Sequence, residues 1–516
     1  MSKPSPSGLA GRTGFPFTLP GVLLVVAIYT LIHATTRWLA SGNLGEDDPL
    51  DNLLVQTLAP GYSIEHGPLY DWLLWLLQHL LGTGLVSFLA LKYSLLTAIA
   101  GFVFLITQRL TRSALWAFIA VESLASVYQI FWRLHEGFTH RVGAMALALA
   151  TLWAMLRLLE HGTWRNYLLF AMLTGLGLLT EPSFACFLIA LLLAGTMQAA
   201  IRQRLFSWQM LAVTPLTLLI VAPYLLWLLA EPQRLHTLLA TYRPDFTSHT
   251  LSRLLGSVRD AATFPILVLA PYILILPAVF PSLLKNIFTQ TAFRPTRTVD
   301  HDPKLFLVHI LLFELAGIML VNGLVYSRAG YAVHSILPML VMAIPWLTAK
   351  AQETQPSARR IKVFMAILLA FTATAYGVRS GNLFVQEPFC SRCRWGIPYT
   401  ELAQEIRAQG FTEGTLISNN VQIAGNLRRF FPESRILLTG QDNPPPDRNK
   451  QIALVWGVSD QDIALPASFK TLLPSSQNAT NARLIAAPWH HLWKPSGYRQ
   501  ATWGVLLIEP GAPQDQ

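Results

Sequence analysis

Long apolar stretches separated by short polar connections run from residue 19 to residue 378. A helix needs about 20 mostly apolar residues to cross a bilayer, and membrane helices tolerate the Pro and Gly found in several stretches. The pattern therefore predicts an α-helical polytopic membrane protein with about 11 spans. The expected spans lie near residues 19–38, 84–107, 113–131, 142–158, 166–180, 183–200, 209–229, 263–283, 305–325, 331–348 and 361–378.

Composition supports this assignment and excludes several classes of protein. The chain is 53% apolar and 13% charged, whereas soluble domains carry about 25% charged residues. A soluble enzyme, a disordered protein and a small disulfide scaffold are therefore excluded. The net charge of +10 would suggest nucleic acid in a soluble protein. In a membrane protein, cationic cytoplasmic connections explain that charge, so we expect no nucleic-acid partner.

Basic residues indicate how the spans are oriented. Connections on the side of the N-terminus are richer in Lys and Arg than those on the opposite side, as Arg109, Arg112, Arg202 and Arg204 illustrate. Because basic residues favour the cytoplasmic side, we expect a cytoplasmic N-terminus. An odd number of spans then places residues 379–516 outside.

The tail differs from the rest of the chain in its shorter apolar runs. TLISNN, RILLTG, QIALVWG and WGVLLIEP predict strands, and PYTELAQEIRAQG and VQIAGNLRRFF predict helices. Strands that alternate with helices indicate a small α/β domain, and no Gly-rich phosphate loop accompanies them. We therefore expect two domains, a membrane domain at 1–378 and an outside α/β domain at 379–516.

The first outside connection, residues 41–83, is long enough to require structure of its own. Its leucines and tryptophans recur at helical spacing, which predicts two amphipathic helices along the membrane surface. The connection contains several acids but neither Lys nor Arg. The acids are Glu46, Asp47, Asp48, Asp51, Glu65 and Asp71.

Acids near lipid headgroups fit the transfer of a sugar from a phosphate-linked donor. That reaction needs a carboxylate to take the proton of the acceptor hydroxyl, and cations to stabilise the departing phosphate. Asp47 is the candidate base, with Asp48 second. Ionisable residues at span ends are functional candidates, and they supply the possible cations. These are Lys92, Arg133 and Arg141.

Each of these residues also has a purely structural interpretation. Asp47 is suitably placed to cap the helix that follows it. Arg133 and Arg141 can anchor span ends or pair with Glu136, and Lys92 can extend its ammonium group to the interface. The residues and their spacing leave both interpretations open.

Three segments resemble GT-C membrane glycosyltransferases, specifically the family of protein mannosyltransferases, the aminoarabinose transferase of lipid A and the rhizobial galacturonosyltransferases. The first is the acidic pair followed by GYSIEHGPLYDWLLWLLQHLLG. The second is FWRLHEGFTHRVGAMALA, residues 131–148, which is similar to a segment of the galacturonosyltransferase-like members. The third, CSRCRWGIPYTELAQEIRAQGF with IAGNLRRFFPESR, resembles their C-terminal periplasmic region.

The resemblance implies a GT-C fold in a bacterial inner membrane and inverting transfer from a polyprenyl-phosphate sugar. The acceptor would be a glycolipid, a lipopolysaccharide or a protein on the periplasmic side. Asp47 matches the first Asp of the family's acidic pair, which would serve as the base or position the acceptor. Glu65 and His66 stand where the aminoarabinose enzyme has an acid and a donor-binding Lys, and His140 belongs to the second matching segment. No cofactor is implied, and the scattered acids leave a divalent metal open.

Two further expectations concern other segments, and a third concerns the function. Tyr242 and Arg243 lie in an outside loop that is either a lid over the substrates or a solvated loop facing anionic lipid. Cys390 and Cys393 are expected to form a local disulfide, a redox pair or part of a zinc site completed by His490 and His491. The alternative function is a transporter or flippase of lipid-linked sugars. Transporters hold substrates at mid-membrane, whereas these acids lie in a loop, which favours an enzyme.

Overall fold

The computed structural model forms two compact units, and each is described separately below. The first unit comprises the described residues within Met1–Ile32, Ala59–Tyr70 and Lys92–Tyr376, and the second those within His33–Leu58, Asp71–Leu91 and Gly377–Gln516. The described residues are 14–137, 139–244, 246, 249–289, 302–325, 337–386, 389, 394–440, 446–447, 449–458, 463–472, 481–490 and 499–510.

Helices dominate the structure. The helix Ala114–Ser123 is followed by a 3₁₀ turn, Leu124–Ser126, and a π-helical turn, Gln129–Arg133. In chain order the α-helices are α1 (Leu19–Ala40), α2 (Asp48–Leu54), α3 (Leu69–Leu81), α4 (Leu85–Thr111), α5 (Ala114–Ser123), α6 (Leu134–Glu136), α7 (Thr139–Glu160), α8 (Trp164–Leu178), α9 (Pro182–Thr196), α10 (Ala199–Leu205), α11 (Trp208–Ala230), α12 (Pro232–Thr241), α13 (Thr250–Val279), α14 (Ser282–Thr289), α15 (Pro303–Leu324), α16 (Leu337–Glu353), α17 (Ala358–Gly381), α18 (Tyr399–Ala408) and α19 (Val421–Leu427).

Several helices are long and apolar enough to cross a membrane, so the chain is a multi-pass membrane protein. A further pair, Ala114–Ser126 and Gln129–Glu136, meets the same criterion together but bends by 69°. The spans expected at residues 166–180 and 183–200 correspond to α8 and α9, which are only 15 residues long each. The count of about 11 spans therefore stays a prediction. The seven long helices among the described residues are Leu19–Ala40, Leu85–Thr111, His140–Glu160, Trp208–Ala230, Thr250–Val279, Pro303–Leu324 and Ala358–Val385.

The helices of the first unit begin at ordinary capping residues and pack closely. Ser113 and Ser207 accept hydrogen bonds from backbone amides at the starts of α5 and α11, as N-cap serines do. Helix α8 packs against α7 and α11, and α15 packs against α9 and α13. Across the contact between α8 and α11, Thr217 Oγ1 donates to the carbonyl oxygen of Ala171 over 2.9 Å.

The second unit is built around a five-stranded mixed sheet of order β2-β1-β3-β5-β4. Strand β1 is parallel to β2 and β3, whereas β5 is antiparallel to β3 and β4. The α/β prediction is confirmed, and β4 is the strand that sequence analysis missed. The strands are β1 (Gly414–Ser418), β2 (Arg435–Leu438), β3 (Gln451–Gly457), β4 (Arg483–Pro488) and β5 (Gln500–Ile508).

Two apolar clusters hold the sheet of this unit. One joins α18 and α19 to the sheet through residues such as Leu402, Leu427 and Leu416. Leu53 of α2 also belongs to that cluster, so this first-loop helix buries part of its apolar face in the second unit. Both helices expected in the loop are present as α2 and α3, while the domain boundary expected at residue 378 stays a prediction.

Candidate active site

A tight turn from Gly45 to Asp48, called here the acidic turn, lies in the second unit immediately before α2. Glu46 has a φ of 51°, a left-handed backbone that is uncommon outside glycine. The amide of Asp48 donates to the carbonyl oxygen of Gly45 over 3.1 Å. This hydrogen bond closes the turn and fixes the position from which Asp47 projects.

The two aspartates of the acidic turn differ in exposure. Asp47 is exposed, and its side chain makes no capping hydrogen bond although the residue stands at the start of α2. Its carbonyl oxygen accepts instead from the amides of Leu50 and Asp51. Asp48 is only 3% exposed. Asp47 therefore presents its carboxylate to solvent, as a base for an incoming hydroxyl must.

Two other acids of the first loop are buried in the same unit. Asp51 on α2 is 3% exposed, and Asp71 on α3 is fully buried. Burial, together with the nearby charge of Asp51, raises the pKa of Asp71 well above its ordinary value. These two carboxyl groups are inaccessible to a bulky acceptor and belong to the interior of the unit.

In the first unit, His66 and His140 lie face to face. Their ring centroids are 3.5 Å apart with 31° between the planes, and the Tyr70 ring lies 4.9 Å from that of His140. The amide of Gly67 donates to the carbonyl oxygen of Thr180 over 2.6 Å, which fixes the segment next to His66. The fold thus brings together residues from two of the three sequence segments that carry the resemblance.

A partly buried ion pair lies at the start of α7 and α9 in the first unit. Arg141 Nε donates to Glu181 Oε1 over 3.2 Å, and Ser183 Oγ donates to Glu181 Oε2 over 3.2 Å. Glu181 is 7% exposed. Sequence analysis did not assign Glu181 to the site. The structure makes it the residue that orients the predicted phosphate-binding arginine.

Comparisons with known proteins identify the class of this chain. Residues 65–227 match the model of the family described as dolichyl-phosphate-mannose-protein mannosyltransferase. Over 490 residues the chain is 26% identical to the lipopolysaccharide core galacturonosyltransferase RgtB of Rhizobium johnstonii, covering 91% of this chain and 94% of the relative. It is 22% identical to RgtA of the same organism over 473 residues, which is 88% of this chain and 90% of that protein.

A solved structure shares the fold. The chain aligns with ArnT from Cupriavidus metallidurans bound to undecaprenyl phosphate with a TM-score of 0.57, covering 94% of this chain and 98% of that one at 12% identity. This chain is a GT-C membrane glycosyltransferase. The segment matched by the mannosyltransferase family model contains His66, Lys92, His140 and Arg141.

The other predicted cations of this GT-C glycosyltransferase occupy contrasting environments. Lys92 on α4 is 2% exposed, so it does not lie at a surface. Arg133 is exposed and lies 3.6 Å from the carboxylate of Glu136. This is the ion pair expected if Arg133 has a purely structural role.

Glu65 is exposed, and its backbone amide donates to Ser63 Oγ over 3.0 Å.

The structure also shows a buried histidine that sequence analysis overlooked. His135 accepts or donates at both ring nitrogens, with Nδ1 3.0 Å from the Tyr93 hydroxyl and Nε2 3.2 Å from the Tyr29 hydroxyl. It is 1% exposed. Its position inside the quoted segment at 131–148 was the available signal, because a histidine in an apolar span requires polar partners.

The remaining predicted residues lie elsewhere. Tyr242 follows α12 and is half-buried, and Arg243 is exposed. Their role in a lid stays a prediction. Cys390 and Cys393 lie outside the described residues. His490, considered as a zinc ligand, lies 2.6 Å from a carboxylate oxygen of Glu401 in the second unit.

Proposed function

We propose that this glycosyltransferase moves a hexose from a polyprenyl-phosphate donor to the core of lipopolysaccharide or a related envelope glycolipid. The observation that carries the proposal is the likeness to RgtB along nine-tenths of both chains, because it includes more than a shared fold. The undecaprenyl phosphate bound to ArnT supports the donor class. Galacturonic acid is the first sugar to test.

The proposed reaction is a direct displacement at the anomeric carbon. Asp47 takes the proton of the acceptor hydroxyl while the oxygen forms a bond to that carbon. The bond from the carbon to the donor phosphate oxygen breaks, and polyprenyl phosphate leaves with the electron pair. One displacement inverts the configuration of the sugar. The carboxylate of Asp47 is exposed and makes no capping hydrogen bond to α2, which supports this role. The buried Asp48 is better suited to stabilise the turn.

The leaving phosphate gains negative charge as its bond breaks, so cations that bind it stabilise the transition state. We assign this role to His66, His140 and Arg141, with Lys92 as a further cation. Glu181 fixes the Arg141 guanidinium before the donor arrives, which reduces the ordering cost of binding. His66 supplies an N–H donor where the aminoarabinose enzyme has a lysine.

We further propose that the reaction takes place at the periplasmic face of a bacterial inner membrane. The bias of Lys and Arg toward the connections on the N-terminal side supports a cytoplasmic N-terminus and a periplasmic first loop. Donor and acceptor would then both be lipids of the outer leaflet of that membrane.

The test is mass spectrometry of envelope glycolipids from the native host with the gene intact, deleted or carrying Asp47→Asn. We expect a glycan one sugar shorter in the deletion and the Asp47→Asn strains, and the mass difference identifies the sugar. The polyprenyl-phosphate sugar should accumulate in both. Glu46→Gln, which removes the neighbouring exposed carboxylate, is the matched control and should give the complete glycan. Complete glycans in the deletion strain would refute the proposal.

A further inference from the structure

Within the second unit, α19 lies directly against α2, the helix that begins at the acidic turn. The part of this unit that comprises α18, α19 and the five-stranded sheet is called here the C-terminal domain. The closest approach is between Gly425 and Pro49. A Cβ atom added at Gly425 would lie 2.5 Å from Pro49 Cα and 2.6 Å from Pro49 Cβ. The side-chain Nδ2 of Asn52 donates to the carbonyl oxygen of Gly425 over 2.8 Å. Only glycine allows the two helices this separation, so their spacing is fixed by one residue.

Arg428, which follows α19, holds the other end of α2. Its guanidinium donates to the carbonyl oxygen of Asn52, to Asn52 Oδ1 over 3.1 Å and to the carbonyl oxygen of Val55 over 3.2 Å. The last carbonyls of a helix lack partners within the helix and carry partial negative charge. Arg428 is 6% exposed, and it therefore joins α2 to the C-terminal domain through a charged group shielded from water.

Side-chain amides hold the chain on both sides of the acidic turn. Asn426 accepts from the amide of Leu44 over 2.8 Å and donates to the carbonyl oxygen of Leu44 over 3.2 Å. Gln56 makes the same paired contact with Ile436, at 2.8 Å in each direction. Each amide thus satisfies both polar groups of a backbone position, as a neighbouring strand would.

Asn43 also contacts the C-terminal domain before the acidic turn, but by donating to two carbonyl oxygens. Its Nδ2 donates to the carbonyl oxygens of Trp395 and Ile397 over 3.0 Å and 2.8 Å. Between these contacts the side chain of Asp47 projects without any capping hydrogen bond. The orientation of Asp47 therefore depends on backbone contacts to the C-terminal domain.

We propose that the C-terminal α/β domain positions the acidic turn for catalysis, with Gly425 and Arg428 as the positioning residues. This inference rests on the proposed function of Asp47 as the base. It gives the C-terminal domain a role in the chemical step. A displacement of α2 by a fraction of a side-chain length then slows transfer, because catalysis depends on the distance between the base and the reacting hydroxyl.

The decisive variant is Gly425→Ala, which inserts one methyl group between α19 and α2. Alanine favours helix more than glycine does, so α19 itself is not weakened. The matched control is Gly457→Ala in the same domain, where the nearest atom to an added Cβ is Ile423 Cδ1 at 3.8 Å. Both variants make the same chemical change, and only the first one separates the two helices.

Two measurements on the full-length protein in detergent or nanodiscs test the inference. Hydrogen exchange of the peptide covering residues 48–56 should become at least about tenfold faster in Gly425→Ala, with the β-sheet peptides unchanged. Transfer from undecaprenyl-phosphate galacturonic acid to lipopolysaccharide extracted from the deletion strain should show kcat about 10- to 100-fold lower, with the donor KM changed less than about twofold. Gly457→Ala should match the wild type in both.

Arg428→Lys and Arg428→Met provide the second test if Gly425→Ala disturbs the whole sheet. Lysine keeps the charge but cannot donate to several carbonyls in a fixed fork, so we expect it to restore part of the kcat lost in Arg428→Met. Equal kcat values for wild type and Gly425→Ala, or for wild type and Arg428→Met, would overturn the inference.

The outcome also separates this inference from the proposed function. If the wild-type protein transfers no sugar and Gly425→Ala still accelerates exchange in residues 48–56 alone, the C-terminal domain holds the turn but the proposed reaction is wrong. If the wild-type protein transfers sugar and Gly425→Ala transfers it at the same rate, the proposed reaction stands and the positioning role is wrong.

Discussion

The acidic turn and the cluster formed by His66, His140, Arg141 and Glu181 are organised in opposite ways. In the acidic turn the candidate base is exposed, and neutral amide contacts hold its backbone. In the cluster the ionisable groups are largely shielded from water, and ring stacking and an ion pair hold their side chains. A base must be accessible to the acceptor hydroxyl, whereas a phosphate-binding cation acts more strongly where water is excluded.

The largest effect on activity should come from a change in the acidic turn. Asp47→Asn removes the base, so kcat should fall by about 10²- to 10⁴-fold. The temperature of unfolding should stay unchanged, because the side chain is exposed and caps nothing. Single-turnover transfer and a thermal unfolding assay on the same sample measure the two quantities.

Asp48→Asn is the comparison variant for that experiment. Asp48 is adjacent in sequence but only 3% exposed, so its replacement should change the stability of the unit more than Asp47→Asn does. A full transfer rate in Asp47→Asn, with the rate lost in a stably folded Asp48→Asn, would exchange the roles assigned to the two aspartates.

The cluster offers a second, smaller effect through its ion pair. Glu181→Gln leaves Arg141 in place but removes the carboxylate that orients it, so the donor KM should rise about tenfold. Glu136→Gln is the matched control because it breaks the other Arg–Glu pair, in which Arg133 is exposed. Exposed ion pairs contribute little, and this variant should bind donor like the wild type. Equal donor KM values in the two variants would contradict an orienting role for Glu181.

Features of the fold that depend on local sequence patterns were predictable from the sequence. Apolar periodicity is a local signal, so the helices at residues 19–38 and 84–107 and the strands of TLISNN and QIALVWG were found. Strand β4 was missed because most of its residues are exposed and it lies at the edge of the sheet. Its exposed positions include the apolar residues Leu484 and Ala486, so the sequence lacks the polar–apolar alternation that identifies a strand.

Contacts between side chains were harder to predict from the sequence than secondary structure. The resemblance indicated His66 and His140 separately, but their stacking depends on how α7 meets the segment before α3. Glu181 and Arg141 are 40 positions apart, and no spacing rule joins residues on different helices. The contact of α2 with the C-terminal domain was likewise hidden, since an amphipathic helix fits a membrane surface and a protein surface equally well.

The smallest predicted effect concerns the buried acids next to the acidic turn. Because burial and Asp51 raise the pKa of Asp71 in the folded protein, the folded state binds more protons than the unfolded state above the ordinary aspartate pKa of about 4. Stability therefore falls as pH rises from there through the folded-state pKa of Asp71, and the loss is complete above it. Asp51→Asn removes the repelling charge and should lessen this loss.

Chemical denaturation of wild type and Asp51→Asn at a series of pH values measures the difference. The stability of the variant relative to wild type should increase with pH, by about 1.4 kcal/mol for each pKa unit that Asp51 contributes. At pH values where both carboxyl groups are protonated in both states, that pH-dependent gain should vanish. A difference that stays constant with pH would show that Asp51 does not repel the ionised form of Asp71. Burial alone would then account for the raised pKa.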